Sequence, residues 1–126
     1  RTIVWENLAF FRGIEQEGGK NRDQGAATID GIACQKLAFV YAADIIFYRY
    51  FDGATGRLVL TETESGGTIR EQGEIMVNGI RFPKVLVNTL KSPDGKVQTI
   101  TITFHRITVN EAFDDGFFAV PSFSGK

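Results

Sequence analysis

Few residues in this chain are of a type that does chemistry. Cys34 is the one cysteine and His105 the one histidine. A thiol nucleophile needs a base within hydrogen-bond reach. Cys34 and His105 would form that pair only if their strands were neighbours, and a lone cysteine in a strand more often serves as a small core residue. His105 ends a run of threonines on one strand face, which suits a half-buried side chain beside cross-strand neighbours better than a general base. Ser65 and Ser124 sit next to glycines, but no G-x-S-x-G elbow surrounds them. The glycine pairs in GGKN (18–21) and SGGT (65–68) lack the strand-to-helix setting of a phosphate loop. Glu111, Asp114 and Asp115 do not follow the regular spacing of a calcium loop. Glu62, Glu64, Glu71 and Glu74 fall on neighbouring strand candidates, where a carboxylate pair could do acid–base work. Interleaved as they are with Leu58, Leu60, Ile69 and Ile75, they read as outward, solvated residues. The expectation is therefore a non-enzyme with no catalytic residue, no cofactor and no metal.

The aromatic residues are the remaining feature. Trp5, Phe10, Phe11, Phe39, Phe47, Tyr48, Tyr50, Phe51, Phe82, Phe104, Phe117 and Phe118 are many for a small core. They allow two readings. One is a concave apolar surface that accepts an acyl chain or peptide. The other is a plain core plus the packing of two chain ends.

Composition bounds the partners. The 126 residues suit one domain and need no disulfide or metal to hold a core. The 14 basic and 15 acidic side chains nearly cancel, which removes the electrostatic footprint of a nucleic-acid binder and of a polybasic membrane anchor. No apolar run approaches the about 20 residues of a membrane helix. Arg1, in place of an initiating Met, reads as a cut end and suggests a fragment of a longer protein.

These side chains must be positioned by strands. With 11 Phe, 14 Gly and only three Pro, the chain has the makings of a β-rich protein with turns. Residues 1–13 fit a short helical stripe through Ile3, Trp5, Leu8 and Phe11, although Ile3 and Trp5 also alternate as a strand would. Residues 14–25 read as a polar loop. From residue 26 onward, strands alternate with turn signals: 26–29, 34–41, 45–51, 57–64, 68–77 with a bulge at Gly73, 80–91 with an edge or bulge at Pro83, and 97–109 with a bulge near Arg106. Asp30-Gly31 and Asn78-Gly79 are hairpin dipeptides. The 45–51 strand is apolar on both faces, with Ile45, Phe47 and Phe51 opposite Ile46, Tyr48 and Tyr50, as in the middle of a covered sheet. A short helical turn is expected over 110–116. The predicted fold is mainly all-β: a curved antiparallel meander or half-barrel of about seven strands, with at most one short N-terminal helix. It is a single domain over 1–126, divided into an N-terminal segment and loop (1–25), the meander (26–121) and a tail (122–126).

The second half resembles the C-terminal half of LolA/LolB-like domains, which include periplasmic lipoprotein carriers and segments beside insulinase-type zinc protease domains. The matching residues are Asp52, Thr55, Gly56 and Leu58, with Arg57 added; Gly79, Ile80, Phe82 and Pro83; and Val109, Asn110, Phe113, Asp114, Asp115, Phe118 and Pro121. The likeness covers about residues 26–121, and its motifs mark turns and anchors. It implies a half-open, curved sheet whose hollow takes acyl chains, and a periplasmic or otherwise extracytoplasmic location. Only 25 residues precede the matched region, fewer than such domains have, and no H-x-x-E-H zinc motif is present. On this reading, a lipid or acylated peptide is the partner, and Trp5, Phe39, Phe47, Phe51 and Phe104 line its cavity. The alternative is a ligand-free accessory domain of a larger secreted bacterial protein such as a zinc protease. A truncated sheet would also leave edges for a homodimer.

Overall fold

The computed structural model describes residues 14–15 and 18–119. The expected helix over 1–13, Trp5, Pro121 and the tail 122–126 lie outside the described residues.

The described chain is all-β. Seven strands form one open antiparallel sheet in the order β1-β2-β3-β4-β5-β8-β9, and β6 and β7 form a separate two-stranded sheet. The strands are β1 (Lys20–Ile29), β2 (Ile32–Ala42), β3 (Ile45–Asp52), β4 (Leu58–Glu62), β5 (Thr68–Gln72), β6 (Ile75–Val77), β7 (Ile80–Phe82), β8 (Val85–Lys91) and β9 (Val97–Thr103). The curved meander expected from the turn spacing is therefore present. β1 and β9 are its two edges, so the sheet is not closed into a barrel.

Local chemistry explains most of the turns. Asp30 and Gly31 both take positive φ, as do Asn78 and Gly79, which is what a two-residue hairpin turn needs. The Asp52 turn is held by its own side chain. The Ala54 amide donates to Oδ1 at 2.8 Å and the Thr55 hydroxyl to Oδ2 at 2.9 Å. These bonds stabilise the carboxylate and pull the Asp52 pKa below its ordinary value, the Ala54 amide contributing most.

Several boundaries depart from the sequence reading. The polar stretch 14–25 is not all loop, because β1 begins at Lys20 and pairs it with Val40. An edge strand keeps polar side chains in water, so composition hides it. The register slips between Asp23 and Ala26, where the Gly25 amide turns to Asp23 Oδ1 at 2.7 Å. The 68–77 and 80–91 strands are each broken rather than bulged. Gly73 takes a φ of 63°, Pro83 has no amide hydrogen, and the Lys84 amide bridges to the Gln72 carbonyl at 3.1 Å. Both breaks fall at one level, so β6 and β7 leave the main sheet together. The last strand stops at Thr103 instead of reaching Val109. Phe104 still donates to the Lys84 carbonyl at 2.9 Å, but the next position on the partner strand is Pro83, which cannot continue the ladder. The helical turn comes later than expected, with Phe117 donating to the Asp114 carbonyl and Ala119 to that of Gly116.

The core is concentrated at the β2–β4 end. One cluster holds Ile14, Phe39, Ile45 and Phe47, with Leu37, Tyr41, Ala42 and Phe51 packed against it. The other holds Cys34, Tyr50, Val59 and Leu60, with Ala27, Ile29 and Tyr48 beside it. These clusters occupy opposite faces of β2 and β3, as the two apolar faces of 45–51 predict. Burial declines towards β9, all of whose residues are exposed.

Candidate aromatic face and charged hollow

Strand register gathers part of the expected aromatic set on one face. Phe39 lies directly opposite Phe47, and Phe51 is opposite Gln35, four residues before Phe39. The Phe39 and Phe51 rings are 6.4 Å apart, and Tyr41 meets Phe47 edge-on at 5.6 Å. Phe39 is 3% exposed and Phe47 0%, so both rings are packed shut. Phe104 follows β9, four strands along the sheet from β3. Trp5 lies outside the described residues.

The sequence reading missed Arg49. It sits in the same row as Phe47 and Phe51 and is only 2% exposed. Its guanidinium lies 4.5 Å from the Phe39 ring centre and 5.4 Å from that of Phe47, and Nη1 donates to the Tyr41 hydroxyl at 3.4 Å. Aromatic faces attract a cation placed over them, most strongly when it is shielded from water. The one signal for this was a charged residue inside the run IIFYRYF.

Beyond β4 the same face becomes open. Register carries it through Thr61, Ile69, Asn88 and Ile100, with Glu71, Leu86 and Ile102 in the next row. Leu90, Ile100 and Ile102 are 48%, 41% and 39% exposed. Asn88 interrupts this apolar stretch, and its buried Oδ1 has no hydrogen-bond partner. A hollow of about 210 Å³ lies here, lined by Thr63, Ile69, Asn88 and Leu90 among others. On the opposite face, the Lys36 ammonium stands 4.4 Å over Tyr48, and Tyr50 donates to Glu62 at 2.8 Å. The hydrogen bond with Tyr50 holds the Lys36 proton more tightly and raises its pKa.

The β6–β7 hairpin is fastened to the main sheet by two ion pairs, Arg57 with Glu74 and Arg81 with Glu71. Beneath it is a hollow of about 260 Å³ lined by Asp30, Asp52, Arg57, Arg70, Glu71 and Arg81 among others. Arg70 is paired with Asp30. Glu71 is therefore not the solvated outward residue that its sequence context suggests. Burial pushes its carboxyl above the ordinary value, against the pull of the hydrogen bond and charge of Arg81 at 3.3 Å. The sign follows. The folded chain holds this proton more tightly than the unfolded chain, so this stability is complete below 4.5 and falls as pH rises through the shifted value. Glu71→Gln keeps a hydrogen-bond acceptor for Arg81 without the buried charge. The variant is expected to resist urea better than the parent at about pH 7, and the gap should close in acid. Equal midpoints at both pH values would show that Arg81 fully offsets the burial.

The other candidate groups are kept apart. Cys34 is buried on β2, where desolvation raises its thiol pKa, and His105 follows β9 at the other end of the strand order. Among the described residues, no three His, Cys, Asp or Glu side chains converge as metal ligands would. Among them, too, no helix is long and apolar enough to cross a membrane. Comparison with family models, with curated proteins and with solved structures finds no match.

Proposed function

We propose that the chain is a non-enzymatic binding module that holds an apolar ligand, a lipid or acylated peptide, against the open half of its aromatic sheet face. One observation carries this reading: the face that buries Phe39 and Phe47 continues, past Thr61 and Asn88, to the exposed apolar side chains of Leu90, Ile100 and Ile102. Apolar surface left in water gains about 25 cal/mol for each Å² a ligand covers. The closed part of the face, with Phe39, Phe47, Phe51 and Arg49, acts as its rigid floor. The resemblance to lipoprotein carriers supports the same ligand class and an extracytoplasmic setting.

A second reading is favoured by the burial of Phe39 and Phe47, which pack with Ile14 and Ile45 in one core cluster. It makes the chain a ligand-free accessory domain of a larger secreted bacterial protein such as a zinc protease. Native mass spectrometry on protein purified without detergent separates the two. The binding module should carry a lipid-sized adduct that is lost on delipidation and regained from lysolipid or fatty acid. Leu90→Glu with Ile102→Glu should abolish the regain while the circular dichroism stays unchanged. A clean apo mass that takes up neither probe overturns the ligand reading in favour of the accessory domain.

A further inference from the structure

The two edges of the main sheet are built differently. β1 carries Lys20, Arg22 and Asp23 and is interrupted by the irregularity between Asp23 and Ala26. Charges and bulges of this kind are how natural sheets prevent further pairing. β9 has none of them. Its sequence, VQTITIT, contains no charge, proline or glycine, and its register with β8 runs unbroken from Lys91↔Val97 to Val85↔Thr103. All of its residues are exposed, Val97 at 60%. We propose that β9 is an assembly edge that pairs antiparallel with β9 of a second copy of this chain, extending the sheet across a two-fold axis.

The hydrogen-bond phase determines which register can form. The Ser92 amide donates to the Lys96 carbonyl at one end of the β8–β9 ladder, and Phe104 donates to Lys84 at the other. Alternate residues of a strand direct their backbone groups to the same side. Gln98, Ile100 and Ile102 therefore face β8, while Val97, Thr99, Thr101 and Thr103 direct N–H and C=O groups outward. Self-pairing must match these odd-numbered residues with one another. An axis through Ile100 does so: Thr99 meets Thr101 of the second copy, Val97 meets Thr103, and each pair exchanges two backbone bonds. No charge faces a like charge within the paired strands, and threonine faces threonine, a favourable cross-strand pair. The strand is its own complement, as a two-fold interface requires. That self-complementarity is the reason for choosing a second copy over an unrelated extended peptide. The pairing also joins the exposed Ile100 and Ile102 of both copies into one apolar strip, whether or not that face binds lipid.

Sedimentation equilibrium on the full chain, over a range of concentrations, should report a monomer–dimer equilibrium. Thr101→Pro removes an outward N–H and no bond to β8, so it should weaken dimerisation by about tenfold or more. Its circular dichroism should match that of the parent. Ile100→Cys tests the register without weakening the edge, because the two residues at the axis form a close, non-hydrogen-bonded pair. Oxidation should link it into a covalent dimer, while Ile102→Cys, which faces Gln98 of the second copy, should link far more slowly. Cys34, at 4% exposure, is shielded from this reaction. A monomer at every concentration, a dimer indifferent to Thr101→Pro, or equal cross-linking of the two cysteine variants would each overturn the proposal. So would protection of the outward amides of Val97, Thr99, Thr101 and Thr103 from hydrogen exchange in a monomer, which would mean that another segment of the chain covers the edge.

Discussion

Phe47→Ala is expected to lower the unfolding free energy by about 3–5 kcal/mol. Phe47 is the one described side chain that is both large and fully enclosed. Its ring holds the edge of Tyr41 and one side of the Arg49 guanidinium, so truncation removes contacts from an aromatic neighbour and a buried cation at once. A domain of this size has only about 5–15 kcal/mol of total stability, so the variant should show a much reduced urea midpoint or no cooperative transition. Phe117→Ala gives the comparison. That ring is 65% exposed, and although it stacks on Phe113 at 4.7 Å, its loss should change stability by no more than about 0.5 kcal/mol. If the two substitutions cost the same, Phe47 is not a core residue.

Gly67→Ala should have the next largest effect, a loss of about 1–3 kcal/mol. A Cβ at Gly67 would lie 2.6 Å from the Thr89 carbonyl oxygen, which belongs to the backbone of β8 and cannot swing aside. Gly67 also closes the turn between β4 and β5, where its carbonyl accepts from the Thr63 amide at 2.9 Å and its own amide donates to the Thr63 hydroxyl at 3.1 Å. An added methyl forces either the β5–β8 pair apart or the turn open. Gly79→Ala separates this steric effect from ordinary glycine strain. Gly79 has a positive φ but open space around it, so alanine there should cost only about 1 kcal/mol. Thermal unfolding followed by circular dichroism distinguishes the two. A Gly67→Ala variant as stable as the parent would mean that β8 is not held close to the turn.

Much of the sheet was legible because its signals are local. Asp30-Gly31 and Asn78-Gly79 specify their turns through backbone conformations that few residues adopt easily. The run IIFYRYF shows apolar residues on both sides of the pleat, and β3 is indeed covered on both faces. The candidate face was legible only in part. Alternation groups Phe47 and Phe51 within one strand, but the register across the β2–β3 turn is what brings Phe39 to their face. Phe104 has the same aromatic character, but strand order, not residue type, determines its distance from the others.

By itself, the sequence determined the all-β class, the hairpin turns and the two-faced character of β3, since each depends on interactions within a few residues. Only the tertiary structure decided that Lys20–Gln24 is strand, because its pairing with β2 overrides a polar composition. It alone broke two strands at one level, where Gly73 and Pro83 come together across the sheet. It also ended β9 just short of Pro83, buried Arg49 among aromatic rings, and placed an uncharged strand at the edge of the described sheet. Each of these depends on which backbone lies alongside which, and that neighbour is many residues away in the chain.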